Sequence, residues 1–296
     1  MIRGSMVALI TPFNEDGSVN YKRLRELIDW HVDQQTDAIL VLGTTAETPT
    51  LTVSEEDEIA RISIEQAKGR VPIIVGSGSN NTMVAIEQSL KYEKMGADGL
   101  LVITPYYNKA SKAGMVNHFM QVADAVHTPV YVYNVPGRTG VSLTYEALAE
   151  ISQHKNIVGI KEASGNMSLI CQFSKLINEN FNVYSGNDDI NVALMSMGGA
   201  GSISVMANIL PKEVHDIAMA CQNGIVIYST KLFRPRRTFA ERSVVLTVLR
   251  RQSAEPAQKK LFIISRCREP DAACDSMDFF VRLKEHHLGE LYSGKT

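Results

Sequence analysis

The chain has 296 residues, 45% hydrophobic and 21% charged, with a net charge of −2. That length accommodates two ordinary domains or one large α/β barrel with an ample core. The balanced charge gives no electrostatic footprint for nucleic acid or an anionic membrane, and no apolar run reaches the length of a membrane span.

The N-terminal segment, from Met1 to Pro12, has an apolar run too short for a secretory leader and reads as a first strand. Strands are predicted over Ser5–Phe13, Ala38–Thr45, Val71–Ser77, Gly99–Tyr106, Pro129–Pro136, Ile157–Ser164, Asn182–Gly186 and Gly201–Met206. Several are apolar at nearly every position, as suits strands covered on both faces in a parallel sheet. Between them, Val19–Gln35 sets Leu24, Leu27, Ile28 and His31 at helical spacing. Thr52-Val53-Ser54-Glu55 has the capping-box pattern and opens the next helix. Further helices are expected around 82–95, 113–126, 144–153, 168–179, 188–197 and 212–221, with Gly96 as a left-handed C-terminal cap.

Eight strand-then-helix units predict an α/β fold, a (β/α)8 TIM barrel. A doubly wound sheet would usually carry G-x-G-x-x-G after an early strand; only Gly76-Ser77-Gly78 is present, which reads as a tight turn. The predicted domains are a barrel over 1–224 and a C-terminal, helical extension over 225–296. Composition breaks at that boundary: six arginines precede it and nine follow. A basic patch is one reading of the tail, and an accessory helical cap or poorly ordered tail is the preferred one. Val244–Leu249 and Leu261–Ile264 are compatible with helix or strand. Cys171, Cys221, Cys267 and Cys274 lack zinc or disulfide spacing, so a cytoplasmic protein with free thiols is expected.

In a barrel, catalytic groups gather at the C-terminal ends of strands. Those ends carry Thr44 and Thr45, Tyr106 and Tyr107, Tyr133 with Arg138, Lys161, Gly186 with Asp188, and Ile203 with Ser204. The set lacks histidine and any cluster of metal-ligand type. One lysine at the end of the apolar run Ile157–Ile160, amid hydroxyls and an arginine, fits amine catalysis on a keto acid. A desolvated amine attacks a carbonyl, the iminium serves as an electron sink, hydroxyls relay protons, and arginine holds a carboxylate. Singly, each residue also has a structural reading: a Thr-Thr turn, a packed tyrosine, a lysine that has reached the surface.

The segments 43–51, 104–109, 133–140, 159–165 and 185–188 lie in order, and with them the chain resembles the dihydrodipicolinate synthase family. That family belongs to the pyruvate-dependent class I aldolases, together with N-acetylneuraminate lyase. The resemblance implies condensation of pyruvate with L-aspartate β-semialdehyde to 4-hydroxy-tetrahydrodipicolinate, in the diaminopimelate and lysine pathway. It assigns the Schiff base to Lys161 and proton transfer to Tyr133, relayed through Thr44 and Tyr107, with Tyr107 entering from a neighbouring subunit. Thr45 binds the pyruvate carboxylate, Arg138 the semialdehyde carboxylate, and Gly186 and the Ile203 carbonyl line the pocket. A homotetramer built from tight dimers is implied, with no metal or organic cofactor. The alternatives are another pyruvate-dependent aldolase, acting on N-acetylneuraminate or a keto-deoxy sugar, and a catalytically silent barrel; Arg138 favours the semialdehyde branch.

The sequence departs from the family pattern in three places. Ala46 stands where many members have glycine, which costs on the order of 1 kcal/mol if the backbone there needs positive φ. No histidine follows the Thr-Thr motif, so strong feedback inhibition by lysine is not expected. The family's C-terminal Asn-Pro-x-x-x-Lys-like segment is missing after Gly224, which predicts intact barrel chemistry with compromised stability or assembly.

Overall fold

The computed structural model describes residues 1–224 and, beyond them, the backbone of two strands, Val245–Thr247 and Leu261–Ile263. The chain divides into two compact units, Met1–Thr11 with Asn20–Arg234, and Pro12–Val19 with Pro235–Thr296.

The first unit is a closed barrel of eight parallel strands in sequential order. They are β1 (Gly4–Ala8), β2 (Ala38–Val41), β3 (Ile73–Gly76), β4 (Gly99–Ile103), β5 (Val130–Asn134), β6 (Ile157–Glu162), β7 (Asn182–Ser185) and β8 (Gly201–Ser204). β1 closes the ring by pairing with both β2 and β8. The connecting helices are α1 (Tyr21–Asp33), α2 (Val53–Ala67), α3 (Thr82–Met95), α4 (Lys112–Ala125), α5 (Pro136–Thr139), α6 (Tyr145–Ile151), α7 (Met167–Phe173), α8 (Asn191–Ser196) and α9 (Pro211–Gln222). Among the described residues no helix is long and apolar enough to cross a membrane.

Local chemistry explains these elements. Ala-Ile-Leu-Val in β2 is buried at every position, because one face meets the barrel interior and the other meets helices. Asn20, Thr52, Asn81, Ser111, Thr144 and Asn166 each accept a first-turn N–H with their side chains, which marks six helix starts. The Thr52–Glu55 capping box is complete, and Gly96 ends α3 at φ +94°. Alternation along the strands turns Met6, Leu40, Ile74, Leu101, Tyr131, Tyr133, Tyr184 and Ile203 into one interior cluster.

All eight strands stand where the sequence places them, and each stops short of its predicted C-terminal end. The extra residues are apolar or hydroxylated, so they extend the β-like composition, but the backbone has already turned into the βα loops. After β2, Leu42 takes φ +55° and Thr44–Ala46 winds into a 3-10 turn. The helices expected over 168–179 and 188–197 are likewise shorter, sharing those segments with 3-10 turns at Ser174–Leu176 and Asp188–Ile190. The sequence places Pro136 at the end of the fifth strand; here it opens the short α5 instead, in a first helical turn where its missing N–H is harmless. Ala46 does not take positive φ. The left-handed residue is the next one, Glu47 at φ +56°, so alanine at 46 carries no backbone penalty.

In the second unit, Phe13 and Val19 form an antiparallel bridge across a loop closed by Asn14 N–H donating to Ser18 O. Val245–Thr247 and Leu261–Ile263 pair antiparallel, which settles as strand the two segments that composition left open. The remainder of the extension, including its expected helices, the arginine-rich segments, Cys267 and Cys274, lies outside the described residues. Cys171 and Cys221 form no disulfide among the described residues.

Candidate active site

β6 carries Lys161 one residue before its end, and the register pairs it with Tyr133 of β5 on one side and Tyr184 of β7 on the other. All three side chains point inward. Lys161 is only 4% exposed, and its amine lies 4.6 Å from the centroid of the Tyr133 ring. Below it, Tyr131 and Tyr184 meet edge to face with centroids 5.7 Å apart, and Tyr184 donates its hydroxyl to the Ile2 carbonyl. The lysine therefore sits above an aromatic floor that excludes water.

That setting governs its charge. Desolvation is the largest influence and lowers the Lys161 pKa to about 8; Asp188 opposes the shift and Arg138 adds to it. Tyr133 moves the other way. Burial raises its phenol, while a hydrogen bond with the Thr44 side chain and the charge of Arg138 partly offset this. The result is an amine that gives up its proton readily beside a phenol that keeps its own.

Gly186 is placed by close approach. A Cβ there would come within 2.7 Å of Ala163 Cβ and 3.1 Å of Lys161 Cε, so a larger residue clashes with Ala163 and crowds the lysine. Ile203 of β8, two strands round the barrel from β6, is fully buried. Thr44 and Thr45 form the half-buried 3-10 turn at the mouth; its last carbonyl, from Ala46, accepts the Thr11 hydroxyl at 2.7 Å. Arg138 stands exposed on α5, close enough for its charge to act on both Lys161 and Tyr133.

Tyr107 is the exception. The residue is 88% exposed and its backbone is left-handed at φ +69°, a conformation costing an L-residue roughly 1–2 kcal/mol. Within one chain the ring is turned outward, whereas Lys161, Tyr133, Thr44, Gly186 and Ile203 converge.

Residue-by-residue reading of the sequence assigned no role to three polar groups at the same strand ends. Asp188 accepts the Ser204 hydroxyl and the N–H groups of Val205 (3.0 Å) and Met206 (2.9 Å), tying the end of β7 to that of β8. Glu162 and Asn134 are fully buried partners one residue beyond Lys161 and Tyr133. Their signal in the sequence was a polar residue closing each of two apolar strand runs. Among the described residues, no group of three or more His, Cys, Asp or Glu could hold a metal ion.

Known proteins resemble this chain in sequence and in fold. The model of the dihydrodipicolinate synthetase family matches residues 1–234. The 4-hydroxy-tetrahydrodipicolinate synthase of Clostridium perfringens strain SM101 is 49% identical over 232 residues, covering 78% of this chain and 79% of that protein. Among solved structures, dihydrodipicolinate synthase from Aquifex aeolicus is 40% identical with a TM-score of 0.76, over 78% of each chain. The chloride-inhibited dihydrodipicolinate synthase of Acinetobacter baumannii, solved in complex with pyruvate, is 39% identical with a TM-score of 0.77, over 78% of this chain and 80% of that one. A family model that spans residues 1–234, with relatives at this identity over three quarters of the chain, leaves one assignment: the chain belongs to the dihydrodipicolinate synthetase family.

Proposed function

We propose that the protein condenses pyruvate with L-aspartate β-semialdehyde to 4-hydroxy-tetrahydrodipicolinate, through a Schiff base on Lys161. The observation that carries this reading is the buried Lys161 amine, lowered to about 8 and set 4.6 Å from the Tyr133 ring at the barrel mouth. The names of the relatives support the same reaction.

The neutral amine attacks the ketone carbon of pyruvate. Tyr133, hydrogen-bonded to Thr44, protonates the carbinolamine oxygen, and water leaves to give an iminium. The iminium draws electrons from the methyl carbon, which loses a proton to become an enamine. That carbon attacks the aldehyde, whose oxygen takes up a proton. The amino group of the second substrate then adds to the iminium carbon and expels Lys161, closing the ring and regenerating the amine. One water is lost overall, and the electron sink comes from lysine and pyruvate, so the reaction needs no metal or organic cofactor. Thr45 holds the pyruvate carboxylate, Arg138 that of the semialdehyde, and Gly186 with the Ile203 carbonyl shapes the cavity between them.

Tyr107 joins the proton relay from a second chain. Its outward ring and strained backbone favour a site completed across a dimer, with two dimers forming a homotetramer.

Borohydride reduction in the presence of pyruvate tests the reading. It predicts a pyruvate-sized mass increase at Lys161, absent in Lys161→Ala; folded wild-type protein without the adduct overturns the mechanism. With the adduct in hand, turnover of aspartate β-semialdehyde supports the synthase, and turnover of N-acetylmannosamine instead assigns the lyase reaction.

A further inference from the structure

Behind the inward pair Lys161–Tyr133 stands an outward pair that the condensation itself does not use. The register continues from Tyr133 opposite Lys161 to Asn134 opposite Glu162. Because side chains alternate across a strand, Asn134 and Glu162 face away from the barrel interior, into the layer beneath the helices. Both are fully buried. A buried carboxyl is costly unless its oxygens are bonded.

The bonds are specific in direction. Glu162 Oε1 accepts the Ser164 N–H at 2.6 Å, and Oε2 accepts from Asn134 Nδ2 at 2.8 Å. Asn134 Oδ1 in turn accepts the Leu143 N–H at 3.0 Å. A backbone N–H can only donate, so Leu143 fixes the oxygen of Asn134 toward itself and the amide nitrogen toward Glu162. The backbone closes the clamp: Ala163 N–H donates to Asn134 O at 2.9 Å, and Gly186 N–H donates to Glu162 O at 2.7 Å. Four pieces of the mouth meet on these two residues: the ends of β5 and β6, the segment following α5, and Gly186 beside Lys161. The Glu162 charge also pushes the neighbouring Tyr133 phenol up, helping to keep it protonated.

We infer that Glu162 is a positioning residue of the condensation, which acts through Ser164 and Asn134 to hold the strand ends so that Lys161 stays beside Tyr133. The inference rests on the proposed reading of that pair as the reacting groups. Both ends of the Glu162 carboxylate face donors, so an amide there puts N–H against N–H whichever way it turns. Flipping Asn134 to relieve this moves the conflict to Leu143.

The same logic supplies the test. In the exchanged variant Glu162→Gln with Asn134→Asp, Gln at 162 accepts from Ser164 and donates to Asp at 134. The aspartate also accepts from Leu143, so every hydrogen bond is restored with volumes unchanged. Misplacing reacting groups by about 1 Å costs on the order of 10²-fold. The inference predicts that Glu162→Gln lowers kcat by roughly that factor, while KM for pyruvate moves by less than about threefold. The borohydride adduct forms correspondingly more slowly, and the exchanged variant recovers kcat to within about tenfold of wild type.

A folded Glu162→Gln with wild-type kcat, whatever its melting temperature, overturns the inference, since a merely structural clamp lowers stability without touching turnover. If Glu162→Gln does not fold, the exchanged variant decides alone: folded and active supports the inference, folded with kcat below about one hundredth of wild type overturns it. Wild-type protein that forms no adduct defeats the proposed function itself, and this inference with it.

Discussion

Lys161 and Tyr133 are direct partners across β5 and β6, with the lysine amine 4.6 Å from the phenol ring centroid. Cross-strand pairing makes this contact a property of the sheet register, not of a mobile loop. The amine is consequently desolvated whether or not substrate is present.

The first prediction concerns pH. With a Lys161 pKa of about 8, the neutral nucleophile is the minor form below that value. The rate of adduct formation with pyruvate should rise about tenfold per pH unit up to near 8 and then level off. A stopped-flow or quench series from pH 6 to about 9.5 measures it. A flat profile would show that the amine is not the titrating group.

The same desolvation costs stability. The folded pKa of about 8 lies below the ordinary lysine value of 10.5, so between them the native state binds fewer protons than the unfolded chain. Stability is thus greatest above the unfolded value, falls as pH drops through this window, and is lowest below about 8. Lys161→Met removes the buried charge and should stabilise the protein at pH 7 by up to roughly 3 kcal/mol while abolishing turnover. Urea unfolding at pH 7 and at high pH checks both parts: the gain must shrink as pH rises.

Gly186→Ala probes the close approach to Lys161. An added Cβ meets Ala163 at 2.7 Å and Lys161 Cε at 3.1 Å, both on packed strand ends. We expect a loss of about 1–3 kcal/mol from overpacking and a fall in kcat/KM on the order of 10²-fold from the displaced amine. Wild-type kinetics in this variant would mean that the lysine has another way to lie.

Subunit mixing decides where Tyr107 works. Lys161→Ala and Tyr107→Phe are each expected to be nearly inactive. Refolded together, they should regain about a quarter of wild-type activity, because half the dimers are mixed and each mixed dimer has one intact site. No regain places Tyr107 in its own chain's site.

Two buried histidines predict the acid limb of stability. His31 bonds Thr36 Oγ1 and His118 bonds Thr82 Oγ1, each at 2.9 Å, and burial lowers both rings to about 4. Between pH 6.5 and about 4 the unfolded chain binds these protons and the native state does not, so stability present above the unfolded value is lost as pH falls. Each contributes up to about 1.4 kcal/mol per pH unit. Replacing either histidine should remove its own share, about half of the slope that the two give together, in denaturant titrations across this window.

Sequence alone determined the architecture and located most of the candidate site groups. Continuous apolar runs such as Ile39–Val41 and Leu100–Val102 specify strands covered on both faces, and eight of them with intervening helices match the count of a barrel, which the structure closes. Lys161 and Tyr133 were legible because each polar group ends an apolar run, which is a local feature. Tertiary structure decided whatever depends on residues distant in the chain or on backbone dihedrals. The turn that admits positive φ falls at Glu47 and not at Ala46, since the 3-10 turn from Thr44 fixes where the chain must reverse. Glu162 and Asn134 stand 28 residues apart and become partners only through the β5–β6 register. Desolvation, likewise, belongs to the assembled barrel: Ile-Lys-Glu places an amine at a strand end, but the walls of β5 and β7 around it lower its pKa to about 8.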